Sequence, residues 1–180
     1  VWQQIEDLLI HKNRVITEIP GNSDGPAIAF CAGVHGNEPS GVLALKNVFD
    51  YIRDNEIPVN GNLIAFIGNR NALHKKSRFA DQDLNRMWTA ENIEKLHTAG
   101  FAPSELNPEA VEMIEIDNLL QDFISKLNGQ ERFFVDLHTT SSPSMPFAAV
   151  DKQPLSYDFA LQLPIPFVSN LDDFLKGTLM

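Results

Sequence analysis

The chain has 180 residues, 43% of them hydrophobic, enough for one well-buried core, so a single domain over residues 1–180 is the expectation. A formal charge of −10 and a pI near 4.8 exclude a surface built for nucleic acid or an anionic membrane, since either needs an excess of Lys and Arg. The lone cysteine, Cys31, excludes an internal disulfide and fits a reducing compartment, and without an apolar run of membrane-spanning length the chain reads as cytoplasmic.

Trp2, Ile5, Leu8 and Leu9 recur at helical spacing and predict a short amphipathic helix. Residues 15–19 read as an edge strand closed by Pro20 and Gly21, and residues 22–26 as turn chemistry. The apolar run 27–32 suits a strand covered on both faces. It ends in a polar turn, Gly33-Val34-His35-Gly36-Asn37-Glu38, at the carboxyl end of a strand, where ligands gather in open α/β sheets. His35 and Glu38 can converge on one ion if the residues between them enter the first turn of a helix. By itself this four-residue pattern also fits a pair that caps a helix start.

Pro39 or Ser40 opens a helix running to Asn55, with Val42, Leu45, Val48, Phe49 and Ile52 as its inward stripe. Residues 59–62 turn the chain into a strand over 63–67. Residues 68–88 are polar and irregular. Between Arg70 and Arg86 five cations meet two carboxylates, a local charge of +3, which leaves −10 − 3 = −13 for the rest and makes this stretch a basic island. A second helix takes Asn107 as N-cap and Pro108 as its first residue, with Val111, Ile114, Leu120, Phe123, Ile124 and Leu127 inward, until Asn128-Gly129 ends it. It feeds a strand over 133–137 closed by His138 and a hydroxyl-rich loop. Further strands are predicted at 147–150 and 166–169, and helices at 155–161 and from Asp172. The alternation gives an α/β fold with a mostly parallel mixed sheet flanked by helices.

Two strands of such a sheet would deliver His35, Glu38 and His138 to one edge, the His₂Glu set of a catalytic zinc whose fourth position is open to water. Asp136 shares a strand face with His138 and could orient a ligand imidazole, or could be satisfied by backbone donors. Asp83 is a second such acceptor, against the alternative of a surface loop held by its own Asp–Arg pairs. Asn85 and Arg86 place an amide beside a guanidinium, a pairing able to clamp a substrate carboxylate. Arg78 could polarise a carbonyl and hold the developing oxyanion, a catalytic role. His11, His74 and His97 lack a partner pattern and read as surface or core-edge histidines. Ser141, Ser142 and Cys31 lack the context of a nucleophile, and Cys31 reads as a buried hydrophobe.

In order, Gly33-Val34-His35-Gly36-Asn37-Glu38, Gly68-Asn69 with Ala72, Arg78-Phe79-x-x-x-Asp83-Leu84-Asn85-Arg86 and Asp136-Leu137-His138-Thr139 resemble the succinylglutamate desuccinylase and aspartoacylase family, relatives of the zinc carboxypeptidases. The likeness runs through most of the chain up to Thr140. It implies a carboxypeptidase-like α/β domain with one zinc on His35, Glu38 and His138. Arg78, Asn85 and Arg86 would hold the carboxylate and carbonyl of an N-acyl amino acid, such as an N-succinyl or N-acetyl acidic amino acid, whose amide is hydrolysed. A homo-oligomer is compatible with this reading. Two positions depart from the family pattern: Asn69-Arg70 where Asn-Pro is usual, and Phe79 where Tyr is common. The family's proton acceptor is a glutamate on a later strand, and the last glutamate here is Glu131. With no initiator Met and an end at Leu179-Met180, the expectation is an excerpt, truncated at the C-terminus, with the general base and a β-rich domain beyond Met180. The alternatives are a metallocarboxypeptidase acting on peptides and a non-catalytic module binding zinc and a small ligand.

Overall fold

The computed structural model describes residues 1–10, 13–98, 100–140, 142–169, 171 and 176–179. His11, Ser141 and the start of the helix expected from Asp172 lie outside the described residues. Strands β1 (Val15–Ile19), β2 (Asn22–Ala32), β3 (Asn60–Ile67) and β4 (Arg132–Leu137) form one sheet in the order β1-β3-β2-β4. β2 runs parallel to both β3 and β4, and β1 closes the other edge antiparallel to β3. This is the mixed, mostly parallel sheet expected from the alternation.

The helices are α1 (Trp2–Ile10), α2 (Ser40–Asp54), α3 (Arg70–Lys75), α4 (Ala90–His97), α5 (Pro108–Ser125) and α6 (Pro154–Ala160). β2 is apolar on both faces because both are covered. Ala27, Ala29 and Cys31 pack in a cluster with Met113, Ile116 and Phe123 of α5, whereas Ala32 joins Ile5 of α1 and Val42, Leu45 and Phe49 of α2. Successive residues of a strand point to opposite faces, so one short run supplies both cores. β5 (Ala148–Val150) and β6 (Phe167–Ser169) form a separate parallel pair rather than extending the main sheet. Among the described residues no helix is long and apolar enough to cross a membrane.

Several expectations change. Residues 22–26 belong to β2 rather than to a turn: Asn22 pairs with Asn60 and Ala27 with Asn62, so the ladder absorbs three extra residues in a bulge. Glycines make this possible. A Cβ on Gly25 would stand 2.3 Å from the Asn60 carbonyl oxygen, and Gly61 has φ +99 with its missing Cβ 2.0 Å from the Pro26 carbonyl oxygen. On α2, Val42, Leu45 and Phe49 complete the buried seam at helical spacing, and Val48 is 54% exposed. Residues 68–88 are not wholly irregular: they hold α3, capped by the Asn69 side chain accepting from the Ala72 amide at 2.8 Å, and a 3₁₀ turn, Leu84–Arg86.

The largest difference lies on α5. Its cap is as expected, with the Asn107 side chain accepting from the Ala110 amide at 2.8 Å and Pro108 next in line. Its inward face is so only in part: Phe123 lies in the core with Leu120 and Leu127 packed against it. Val111 is 42% exposed, while Glu109 and Glu112 are buried at 0% and 2% beside Ala110, Met113 and Ile116. Both carboxylates take hydrogen-bond donors from the stretch after β3, which makes their burial tolerable.

Candidate metal centre

β2 ends at Ala32, and Gly33, at φ +73, turns the chain back. Gly36 lies flat on α3, where a Cβ would meet the Ala72 carbonyl carbon at 1.9 Å, and its amide donates to the Arg78 carbonyl at 3.2 Å. α2 does not begin until Ser40, so His35 and Glu38 stand in the turn ahead of the helix, closed by the Glu38 amide donating to the His35 carbonyl at 3.1 Å. The converging geometry comes from that turn rather than from a helical one. Ala32 is in register with Leu137 of β4, which sets His138 beside the turn.

The three predicted ligands meet. Glu38 Oε1 is 3.0 Å from His35 Nδ1, and Glu38 Oε2 is 3.2 Å from His138 Nδ1 and accepts the Thr139 amide at 2.7 Å. The outer ring nitrogens face carboxylates: His35 Nε2 lies 3.0 Å from Asp83 Oδ1, and His138 Nε2 lies 2.7 Å from Asp136 Oδ2. His35, Glu38 and His138 each offer a ligating atom, all within 4.8 Å of one another. Each imidazole thus turns Nδ1 inward and Nε2 toward a carboxylate, the orientation in which a carboxylate can brace a metal-ligating histidine through Nε2–H. Two imidazole nitrogens and one carboxylate oxygen suit a divalent ion of borderline softness.

The electrostatics follow. Burial pushes the Glu38 carboxyl up, but hydrogen bonds from His138, His35 and the Thr139 amide outweigh it and hold the group far below the ordinary carboxylate range. Burial would lower the His138 ring, yet Asp136 and Glu38 overcome it and raise the group from 6.5 to about 10. In the metal-free protein His138 therefore keeps a proton that a metal must displace. Because its folded-state value is raised, its contribution to stability is present in full below pH 6.5 and is lost as pH climbs through about 10. Metal affinity moves the opposite way across that window. Calorimetry at pH 7.5 in buffers of different ionisation enthalpy is expected to show release of about one proton per ion bound; no proton release would refute this charge state.

Arg78 is exposed at the rim, Nη2 donating to Asp83 Oδ2 at 3.1 Å and Nη1 3.9 Å from Glu38 Oε1. Burial raises the Asp83 carboxyl, but His35, Arg78 and the Asn85 amide bring it below its usual range. Asn85 Nδ2 approaches His138 Nε2 at 3.4 Å, while its Oδ1 accepts from the Leu179 amide at 3.0 Å. Arg86 is exposed, donates to the Asn85 carbonyl and makes no ion pair among the described residues. The cation on Asp83 is thus Arg78. The basic island does not form one surface: Lys76 pairs with Glu6 at 2.9 Å over the Trp2 ring, and Arg70 points to the Leu9 carbonyl. Of its charges, Arg78 and Arg86 stand beside the residues grouped around His35 and His138. His97 pairs with Asp117 at the surface. Cys31 is fully buried, its thiol pushed well up by burial and then by the charge of Asp136.

The sequence reading missed Glu109 and Glu112. Glu109 accepts from Asn69 Nδ2 at 3.0 Å and from the amides of Ala80, Asp81 and Gln82 at 2.6, 3.1 and 3.3 Å. Glu112 accepts from the Asn71 amide and Nδ2 at 2.9 and 2.8 Å and pairs with buried Arg14. A signal was present: 109, 112, 113, 116, 120 and 123 follow one helical stripe, which places both glutamates on the apolar face.

An α/β chain whose parallel strands end in a His–Glu–His group able to hold a metal ion, each imidazole braced by a carboxylate, defines the class. Residues 24–172 match the family profile of the succinylglutamate desuccinylase/aspartoacylase catalytic domain. The chain belongs to that family. It is 28% identical over 124 residues to succinylglutamate desuccinylase of Ectopseudomonas mendocina, covering 69% of this chain and 34% of the relative. Against succinylglutamate desuccinylase of Pseudomonas putida it is 30% identical over 122 residues, covering 67% and 33%. The chain thus spans about a third of the length of these curated relatives, 34% and 33%. Its fold is that of succinylglutamate desuccinylase from Chromobacterium violaceum, with TM-score 0.61 at 20% identity over 84% of this chain and 51% of the other. Murine aminoacylase 3 shares it at TM-score 0.55 and 23% identity, over 83% and 48%.

Proposed function

We propose that this chain forms one α/β domain that holds a zinc ion on His35, Glu38 and His138 and serves hydrolysis of the amide of an N-acyl amino acid, with an acidic amino acid as the favoured product. The observation that carries the reading is the pairing of the imidazoles: Nδ1 of each faces an oxygen of Glu38 while Nε2 of each faces its own carboxylate, Asp83 or Asp136. Such a set fits zinc with three protein ligands. Zinc would supply Lewis acidity, lowering the pKa of water to about 7 and polarising the scissile carbonyl.

The chain's own residues divide the remaining work. Asp83 and Asp136, each placed to accept a hydrogen bond from an Nε2–H, would hold the imidazoles with Nδ1 turned toward the ion. Arg78, held by Asp83 at the rim, directs a guanidinium toward the carbonyl oxygen as charge develops there. Arg86 offers its guanidinium, with the Asn85 amide beside it, to the substrate carboxylate. Membership of a family whose matched relatives are named succinylglutamate desuccinylases supports an N-acyl amino acid as substrate.

A second reading is a module that binds zinc and a small ligand without turnover. One assay separates the two. The protein in its full natural length, stripped by a chelator and reloaded with zinc, is offered N-succinyl and N-acetyl derivatives of glutamate and aspartate alongside C-terminal peptide substrates. Zinc-dependent release of the free amino acid is the expected result. Zinc binding without turnover would favour the module, and preferential peptide cleavage would make the protein a carboxypeptidase.

A further inference from the structure

Glu109 is a fully buried carboxylate that touches none of the three predicted ligands, yet its contacts lead to them. It sits in the first turn of α5, where the helix end favours an anion. Oε1 accepts from Asn69 Nδ2 and the Ala80 amide, and Oε2 from the amides of Asp81 and Gln82. Four donors match the acceptor capacity of a carboxylate, and an amide side chain in its place would aim a donor at one of those N–H groups. Asn69 is itself fixed, its amide donating to the Gly33 carbonyl at 2.9 Å and its Oδ1 accepting from Ala72. Glu109 therefore ties the turn after β2 and the end of β3 to three successive amides of an exposed loop. The next residue in that loop is Asp83, whose carboxylate meets His35 Nε2 at 3.0 Å, Arg78 Nη2 at 3.1 Å and the Asn85 amide at 3.0 Å.

We propose that Glu109 is a positioning residue for the metal centre: through the amides of residues 80–82 it sets the Asp83 carboxylate against His35, and so governs metal affinity and the placement of Arg78 without touching either the ion or the substrate. The inference rests on the metal reading above. Its physical basis is that the hydrogen-bonding shell around a ligating histidine controls metal affinity by about 10–100-fold.

The test is a double-mutant cycle on zinc affinity, measured by competition with a chromophoric chelator, with Asp83→Asn and Glu109→Gln alone and together. If Glu109 acts through Asp83, each single substitution weakens zinc binding about tenfold or more, and the double is no weaker than the worse single within about threefold. Amide exchange at residues 80–82 should accelerate in Glu109→Gln while the β2 amides keep wild-type protection. Multiplicative losses in the cycle, or protection lost equally in β2, would mark Glu109 as merely structural and overturn the proposal. Should Glu109→Gln not fold, Glu109→Asp, which keeps the charge and shortens the arm, is read by the same two criteria. A wild-type protein that took up no zinc would overturn the metal reading and this inference with it. Wild-type zinc binding unmoved by Glu109→Gln would overturn the inference alone.

Discussion

Replacing Glu38 by alanine is expected to weaken zinc binding by about 10²–10³-fold. Structural zinc sites yield about 10–16 kcal/mol from four ligands, so one ligand accounts for roughly 2.5–4 kcal/mol, and a tenfold change in affinity is about 1.4 kcal/mol. Glu38 has a further part to play, since its two oxygens face the inner nitrogens of both histidines. Its loss also touches the metal-free fold. A carboxyl held below its ordinary value of 4.5 contributes stability that is present above that value and lost as pH falls. Glu38→Ala should therefore lower the melting temperature of the metal-free protein near neutrality, and the gap to wild type should close in acid. Metal analysis of the purified variant and thermal melts at pH 7.5 and in acid are the measurements. A Glu38→Ala protein that held zinc as tightly as wild type would remove the metal centre altogether.

Arg86→Lys is expected to lower kcat/KM for an N-acyl acidic amino acid by roughly 10²-fold, about 3 kcal/mol, with zinc content and fold intact. Lysine keeps the charge but not the planar fork that meets a carboxylate with two hydrogen bonds. The competing reading makes Arg86 the structural partner of Asp81 or Asp83, and lysine would then cost thermal stability instead. The geometry speaks against that reading. Asp83 is held by Arg78 at 3.1 Å, and Arg86 is exposed, spends one nitrogen on the Asn85 carbonyl and makes no ion pair among the described residues. Steady-state kinetics and a melting curve on one preparation of the protein in its full natural length decide it. Wild-type turnover in Arg86→Lys would remove the carboxylate clamp and, with it, the main reason to expect an acidic substrate.

What was legible in the chain by itself was local. β2 and β4 announce themselves as short apolar runs ending in polar turns, α5 announces its start through Asn107 and Pro108, and His35, Glu38 and His138 stand at strand ends where a parallel sheet must bring them together. Those signals need only neighbours in sequence and the rule that parallel strands end on one side. The tertiary structure decided which carboxylates are buried and whom they serve. Glu109 looks like any acidic residue in a helix's first turn, and its burial depends on amides 27 to 29 residues away. The same holds for Asp83, claimed by Arg78 rather than Arg86, for residues 22–26, drawn into β2 by glycines on two strands, and for β5 and β6, which pair with each other outside the main sheet. A buried charge is tolerable only where donors converge on it. Sequence spacing reports the charge, but the convergence of donors exists only once distant segments have packed.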